Sequence, residues 1–138
     1  MKTEKKIFII EDDANLLYGL QAKFRVEGFE VFIDQGIAQA ETLAKLKAVK
    51  PDYVILDIIL PKIDGFDLLA EIKADQAIAK IPVFIFTNLS DSESRRKGEA
   101  LGADFYLIKS DFNLDQFIEK FNKITANLNN KPSKHEIF

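Results

Sequence analysis

The chain alternates short apolar runs with longer stretches in which apolar residues recur every three or four positions. Residues 6–10 (KIFII), 29–33 (FEVFI), 53–57 (YVILD), 83–86 (VFIF) and 104–108 (DFYLI) are the short runs. Rich in β-branched and aromatic residues, they read as strands, most of them buried on both faces. Between them, Leu16, Leu17, Leu20 and Phe24 trace one face of a first helix, which Gly28 stops. Ile37, Ala40, Leu43, Ala44 and Ala48 trace a second, small-residue face, broken by Lys50-Pro51-Asp52. Leu68, Leu69 and Ile72 point inward from a third helix over residues 65–75. Pro82 stands at the start of the fourth strand, where it is tolerated. A Ser90-x-x-Glu93 capping box predicts a fourth helix that ends near Leu101 and Gly102. Its inner face is poor: Arg95, Arg96 and Lys97 read as a solvated face, and Gly98 costs about 1 kcal/mol relative to Ala. This helix is expected to be the loosest. Asn113 caps a fifth helix with Leu114, Phe117, Ile118, Phe121, Ile124 and Leu128 on one face.

Five βα repeats imply an α/β fold: a parallel sheet with helices on both faces and right-handed crossovers. The flavodoxin-like strand order 2-1-3-4-5 is the favoured arrangement for five strands. With 138 residues the chain reads as one domain over residues 5–128. Residues 129–138 form a polar tail, expected to fray, in which His135 is neither ligand nor phosphoacceptor. Too few residues follow the fifth helix for an output domain.

Composition narrows the chemistry. There is no cysteine, so disulfides, thiolate metal sites and a Cys nucleophile are excluded. A net charge of −3 gives no general attraction to nucleic acid or to an anionic membrane. No apolar run approaches the length of a membrane span, and the opening MKTEKK lacks the apolar core of a signal peptide. A cytoplasmic location is the simplest expectation.

The candidate site lies at the strand ends. Strand 1 is followed by Glu11, Asp12 and Asp13, and strand 3 ends in Asp57. Strand 4 leads to Thr87 and strand 5 to Lys109. In a parallel sheet these ends open on one edge, and strands 1 and 3 are neighbours in the favoured order. Converging carboxylates repel, so one protonates or a divalent cation binds. All-oxygen donors without His or Cys favour Mg²⁺. Asp12 and Asp57 are the expected direct ligands, the backbone carbonyl of Ile59 a third, and Glu11 a supporting acid behind them. Asp13 reads as a first-turn helix acid. Lys109 adds a compact positive charge and Thr87 a hydroxyl, which together suit a phosphoryl group. A carboxylate such as Asp57 can attack phosphorus and form an aspartyl phosphate. Taken singly, Thr87 reads equally as a turn residue, Tyr106 as a strand aromatic and Lys109 as a surface lysine.

On Glu11-Asp12, Asp57, Pro61, Gly65, Thr87, Tyr106 and Lys109, each in the matching element, residues 5–128 resemble the receiver domain of two-component response regulators. The resemblance implies that Asp57 accepts a phosphoryl group from a sensor histidine kinase, a phosphotransfer protein or a small donor such as acetyl phosphate. It implies Mg²⁺ for transfer and for hydrolysis, in a signalling module that assists its own chemistry and is not otherwise an enzyme. It also implies a switch in which Thr87 moves toward the phosphoryl group and Tyr106 turns inward. The face formed by helix 4, strand 5 and helix 5 then changes partners: an unknown downstream protein or a second copy as a homodimer, with no direct nucleic-acid contact. Two features depart from the pattern. Ser110 replaces the Pro that usually follows Lys109, which points to a trans bond, since a cis non-Pro bond costs about 3–4 kcal/mol. Ile59 and Leu89, both apolar, flank the site and are expected to hinder attacking water. Two other functions on related folds fit less well. A flavodoxin-type binder would meet phosphate with Glu11-Asp12-Asp13, which repels it. A haloacid-dehalogenase-type phosphatase needs an acid two positions after its nucleophile, and Ile59 stands there.

Overall fold

The five apolar runs lie side by side in the computed structural model, which describes residues 4–130. The strands are β1 (Lys6–Ile10), β2 (Glu30–Asp34), β3 (Tyr53–Leu56), β4 (Val83–Thr87) and β5 (Phe105–Ile108). All neighbours pair in parallel, in the order β2-β1-β3-β4-β5. The helices are α1 (Ala14–Val26), α2 (Gln39–Val49), α3 (Gly65–Ala74), α4 (Ser92–Ala100) and α5 (Leu114–Asn130).

Alternation along each strand sends successive side chains to opposite faces and so builds two cores. Ile7, Ile9, Tyr53, Ile55, Phe84, Phe86 and Phe105 pack against Leu17, Leu20 and Phe24 of α1 and Phe117, Phe121 and Ile124 of α5. Phe8, Ile10, Val54, Leu56, Val83 and Ile85 pack against Leu46 of α2 and Leu68, Leu69 and Ile72 of α3. The first core is the aromatic one: the Phe121 ring meets those of Phe24, Phe29, Tyr53 and Phe84. The C-terminal ends of β1, β3, β4 and β5 lie along one edge of this sheet.

The structure corrects several expectations. In α2 the buried residues are Thr42 and Leu46, whereas Ala40, Ala44 and Ala48 are exposed and Ile37 is 63% exposed. The cause is Asp34, a buried acid that needs donors. Its Oδ1 accepts from the Gly36 N–H at 2.7 Å and from the Thr42 hydroxyl at 2.9 Å, which turns α2 so that Thr42 faces inward. Asp13 is the N-cap of α1, accepting from the Leu16 N–H at 3.3 Å, and not a first-turn acid. The cap of α4 is Asp91, which accepts from the Ser94 N–H at 3.0 Å, in place of the expected Ser90. The fifth helix continues to Asn130, two residues into the stretch expected as tail. The rest of that tail, His135 included, lies outside the described residues.

Gly98 is the one buried residue of α4. A Cβ there would stand 2.9 Å from Ile85 Cδ1 and 3.1 Å from Tyr106 Cδ2. The residue that costs helix propensity is what lets the α4 backbone lie close on β4 and β5.

Candidate functional site

The end of β1 delivers Glu11 into the sheet edge, where it is buried. Its backbone N–H donates to the Asp34 carbonyl at 3.0 Å, a bond that continues the β1–β2 ladder. Its side chain is fixed at both oxygens: Oε2 accepts from the Asp13 N–H at 3.0 Å, and Oε1 lies 2.7 Å from Lys109 Nζ. Asp12 remains exposed at the rim. Asp57 directly follows β3 and is only 4% exposed. Its N–H donates to the Ile10 carbonyl at 3.0 Å, which ties its position to the end of β1. Its Oδ1 accepts from the Ile59 N–H at 3.0 Å, and its Oδ2 lies 2.7 Å from Lys109 Nζ.

One carboxylate oxygen from each of Glu11, Asp12 and Asp57 falls within 4.8 Å of the other two. Lys109 is the cation that pairs with this group, so three carboxylates against one ammonium leave a formal surplus of two negative charges (−3 + 1). The cluster is therefore short of positive charge, and its donors are hard oxygens. Both properties fit a divalent cation of the Mg²⁺ kind. Burial raises the Glu11 pKa, and the Asp57 charge adds to this, against the opposing pull of Lys109 and the Asp13 N–H. Burial alone would lower the Lys109 pKa. Its hydrogen bonds to Asp57 and Glu11, with their charges, outweigh that, and the group is held above its usual value as an ammonium.

The other two expected residues meet through a backbone group. Thr87 ends β4 and is fully buried. Its Oγ1 accepts from the Leu89 N–H at 3.4 Å, the turn contact that Thr87 shows here. Tyr106 is buried in β5, and its hydroxyl donates to the Leu89 carbonyl at 2.6 Å. Burial, then the nearby Asp91 charge, raises its pKa. Arg95 is not simply a solvated residue: its guanidinium sits 5.1 Å from the Tyr106 ring centroid and donates to the Tyr106 carbonyl at 3.4 Å. Lys97 in turn lies 4.6 Å from the Phe66 ring centroid. No sequence signal marks the Leu89 carbonyl, because every residue supplies one. Arg95 was hidden by its charged neighbours.

No peptide bond among the described residues is cis, so Lys109–Ser110 is trans. Lys109 opens a single 3₁₀ turn, Lys109–Asp111, and still reaches both acids. Replacement of Pro by Ser110 has not spoiled its aim.

The sequence pattern of the family described as response regulator receiver domain matches residues 7–122. The chain belongs to the response regulator receiver family. Its curated relatives include a probable transcriptional regulator, ycf27, of Guillardia theta, 33% identical over 79% of this chain and 41% of that protein. A gliding motility regulatory protein of Myxococcus xanthus is 33% identical over 62% of this chain and 11% of its own length. The chain thus spans less than half of each of these relatives. Among solved structures, a CheY-like response regulator receiver domain protein from Methanospirillum hungatei aligns with TM-score 0.80 and 25% identity, covering 94% of this chain and 100% of that one. The phosphorylated cyanobacterial phytochrome response regulator RcpA aligns with TM-score 0.75 and 26% identity over 95% of this chain and 98% of its own. The chain is a response regulator receiver domain with the CheY-like fold. Receiver domains are signalling modules that bind Mg²⁺ at an acidic site, and the described residues hold one acidic cluster of this kind, Glu11, Asp12 and Asp57. No helix among the described residues is long and apolar enough to cross a membrane.

Proposed function

We propose that Asp57 is the phosphoacceptor and that Asp12, Asp57 and the Ile59 carbonyl hold Mg²⁺, with Glu11 supporting from behind. The observation that carries this reading is Lys109 Nζ at 2.7 Å from both Asp57 and Glu11, beside three carboxylates that converge within 4.8 Å. The Ile59 N–H orients the Asp57 carboxylate, and Lys109 pairs with its other oxygen. One carboxylate oxygen forms the new bond to phosphorus as the bond to the donor breaks; from a phosphohistidine the P–N bond breaks and the donor's histidine, protonated on its other ring nitrogen, leaves as neutral imidazole. When bound, the metal ion neutralises charge on the phosphoryl oxygens. Lys109 turns from the carboxylate to a phosphoryl oxygen, and Thr87 exchanges its contact with the Leu89 N–H for another. Because Leu89 also accepts from Tyr106, that exchange reaches the α4–β5–α5 face, where a downstream protein or a second copy docks. The donor is a sensor histidine kinase or a phosphotransfer protein, and the location that goes with it is cytoplasmic. The receiver unit is taken as beginning at residue 5 and including α5.

Intact mass after incubation with acetyl phosphate tests this. One phosphoryl group should be added with Mg²⁺ present and none with excess chelator. Equal uptake without a divalent cation, or no uptake in either case, contradicts the proposal.

Ile59 and Leu89 set the lifetime of the phosphorylated form. Ile59 is 52% exposed beside Asp57 and Leu89 is half-buried, and neither side chain has a polar group to orient water. Ile59→Asn and Leu89→Glu should each shorten the hydrolysis half-life several-fold. An unchanged half-life in both removes the shielding role.

A further inference from the structure

The loop between β3 and α3 carries Asp57 at one end and the Ile59 carbonyl within it, and Gly65, the first residue of α3, closes it. An ideal Cβ on Gly65 would stand 2.5 Å from Ile58 Cα and 2.5 Å from the Ile58 carbonyl oxygen. Both atoms are main chain and cannot swing aside as a side-chain tip could. Any side chain at position 65 therefore displaces the Ile58–Ile59 peptide, whose N–H holds Asp57. The same stretch is pinned by an isolated antiparallel bridge between Ile59 and Asp64. Asp64 is itself fixed, accepting from the Phe66 and Asp67 N–H groups at 2.9 Å and 3.3 Å as the cap of α3.

A second support comes from the neighbouring loop. Leu60 is 9% exposed. Its methyl groups lie so near Gly36 that a Cβ there would be 3.1 Å from each of them. Gly36 has a φ of +71°, and its N–H donates to the buried Asp34 carboxylate at 2.7 Å.

We infer that Gly65 is a positioning residue for the divalent cation: by admitting the Ile58 backbone into contact with α3, it sets the Ile58–Ile59 peptide and so the aim of the Ile59 carbonyl that follows it. Leu60, seated on Gly36, steadies the next peptide, Ile59–Leu60, which carries that carbonyl. The inference rests on the Mg²⁺ reading above and deepens it. Mg²⁺ demands near-ideal octahedral geometry at about 2.0–2.1 Å, whereas Ca²⁺ accepts looser and more numerous oxygen ligands. A shifted carbonyl should therefore harm Mg²⁺ binding far more than Ca²⁺ binding. General loss of stability harms both alike.

The test uses the full chain and its Gly65→Ala and Leu60→Ala variants. Mg²⁺ and Ca²⁺ affinities are read by displacement of Mn²⁺, followed by electron paramagnetic resonance. Gly65→Ala should weaken Mg²⁺ by about 10–100-fold, the range seen when groups supporting a metal ligand are lost, with Ca²⁺ changed much less. Leu60→Ala should show a smaller loss in the same direction. A folded Gly65→Ala with unchanged Mg²⁺ affinity, or equal losses for both ions, overturns the inference. Should Gly65→Ala fail to fold, Leu60→Ala decides, because it adds no atom: an unchanged Mg²⁺ to Ca²⁺ ratio there overturns it. Failure of the unaltered chain to bind Mg²⁺ would instead sink the site itself.

Discussion

Asp57→Asn should retain the fold and take up no phosphoryl group from any donor. An amide nitrogen is not a nucleophile at neutral pH, and no other carboxylate holds the same position between Lys109 and the Ile59 N–H. Two energetic terms oppose each other in this variant. Lys109 loses one of its two acid partners, and one of the two donors now facing position 57 meets an NH₂ group. Against that, the mutual repulsion of three acids drops to that of two. The surplus charge falls from two to one, so Mg²⁺ should bind at least about tenfold more weakly, in line with the several kcal/mol at stake between close charges. The checks are intact mass after acetyl phosphate, a thermal melt and a Mg²⁺ titration. Residual phosphorylation in a folded Asp57→Asn protein would place the acceptor elsewhere.

Lys109→Met should separate binding from chemistry. Lys109 lies 2.7 Å from two acids and is the cation that offsets them. Its removal raises the surplus negative charge from two to three (−3 + 0), so Mg²⁺ affinity should increase. The rate of phosphoryl transfer should nonetheless fall by about 10²–10³-fold, the usual cost of losing one group that stabilises developing charge. Without metal the variant should also be less stable. Removing one partner of a buried pair costs up to about 3–5 kcal/mol, and this ammonium is 16% exposed. Added Mg²⁺ should restore most of that loss. If affinity and rate fall together, Lys109 supports the metal site rather than competing with it for the carboxylates.

How far the sequence reveals this molecule depends on which force shapes each part. The strands were legible because burial on both faces demands unbroken apolar runs, and the site because three acids, a threonine and a lysine stand where those runs stop. The side that α2 turns inward was not legible. A small-residue stripe suggested Ala40, Ala44 and Ala48, but a buried carboxylate on Asp34 draws in Thr42, and hydrophobic periodicity carries no sign of that. Gly98 reads as a weakness in the chain and is a close contact in the fold. Arg95 reads as surface charge and covers Tyr106. The Thr87–Leu89–Tyr106 linkage runs through a main-chain amide and carbonyl, which are invisible to residue type. Ser110 shows the reverse case. Its departure from the family pattern pointed to a trans bond, and the trans loop directs the ammonium onto Asp57.

Mapping the modified residue tests the central claim most directly. Borohydride reduces an acyl phosphate to an alcohol and leaves free carboxylates untouched, so the phosphorylated chain can be reduced, digested and sequenced by mass spectrometry. The account predicts a single reduced side chain, at position 57, that appears only after incubation with both acetyl phosphate and Mg²⁺. Reduction at Glu11 or Asp12, or a stable phosphate on a hydroxyl group with position 57 unmodified, would contradict it.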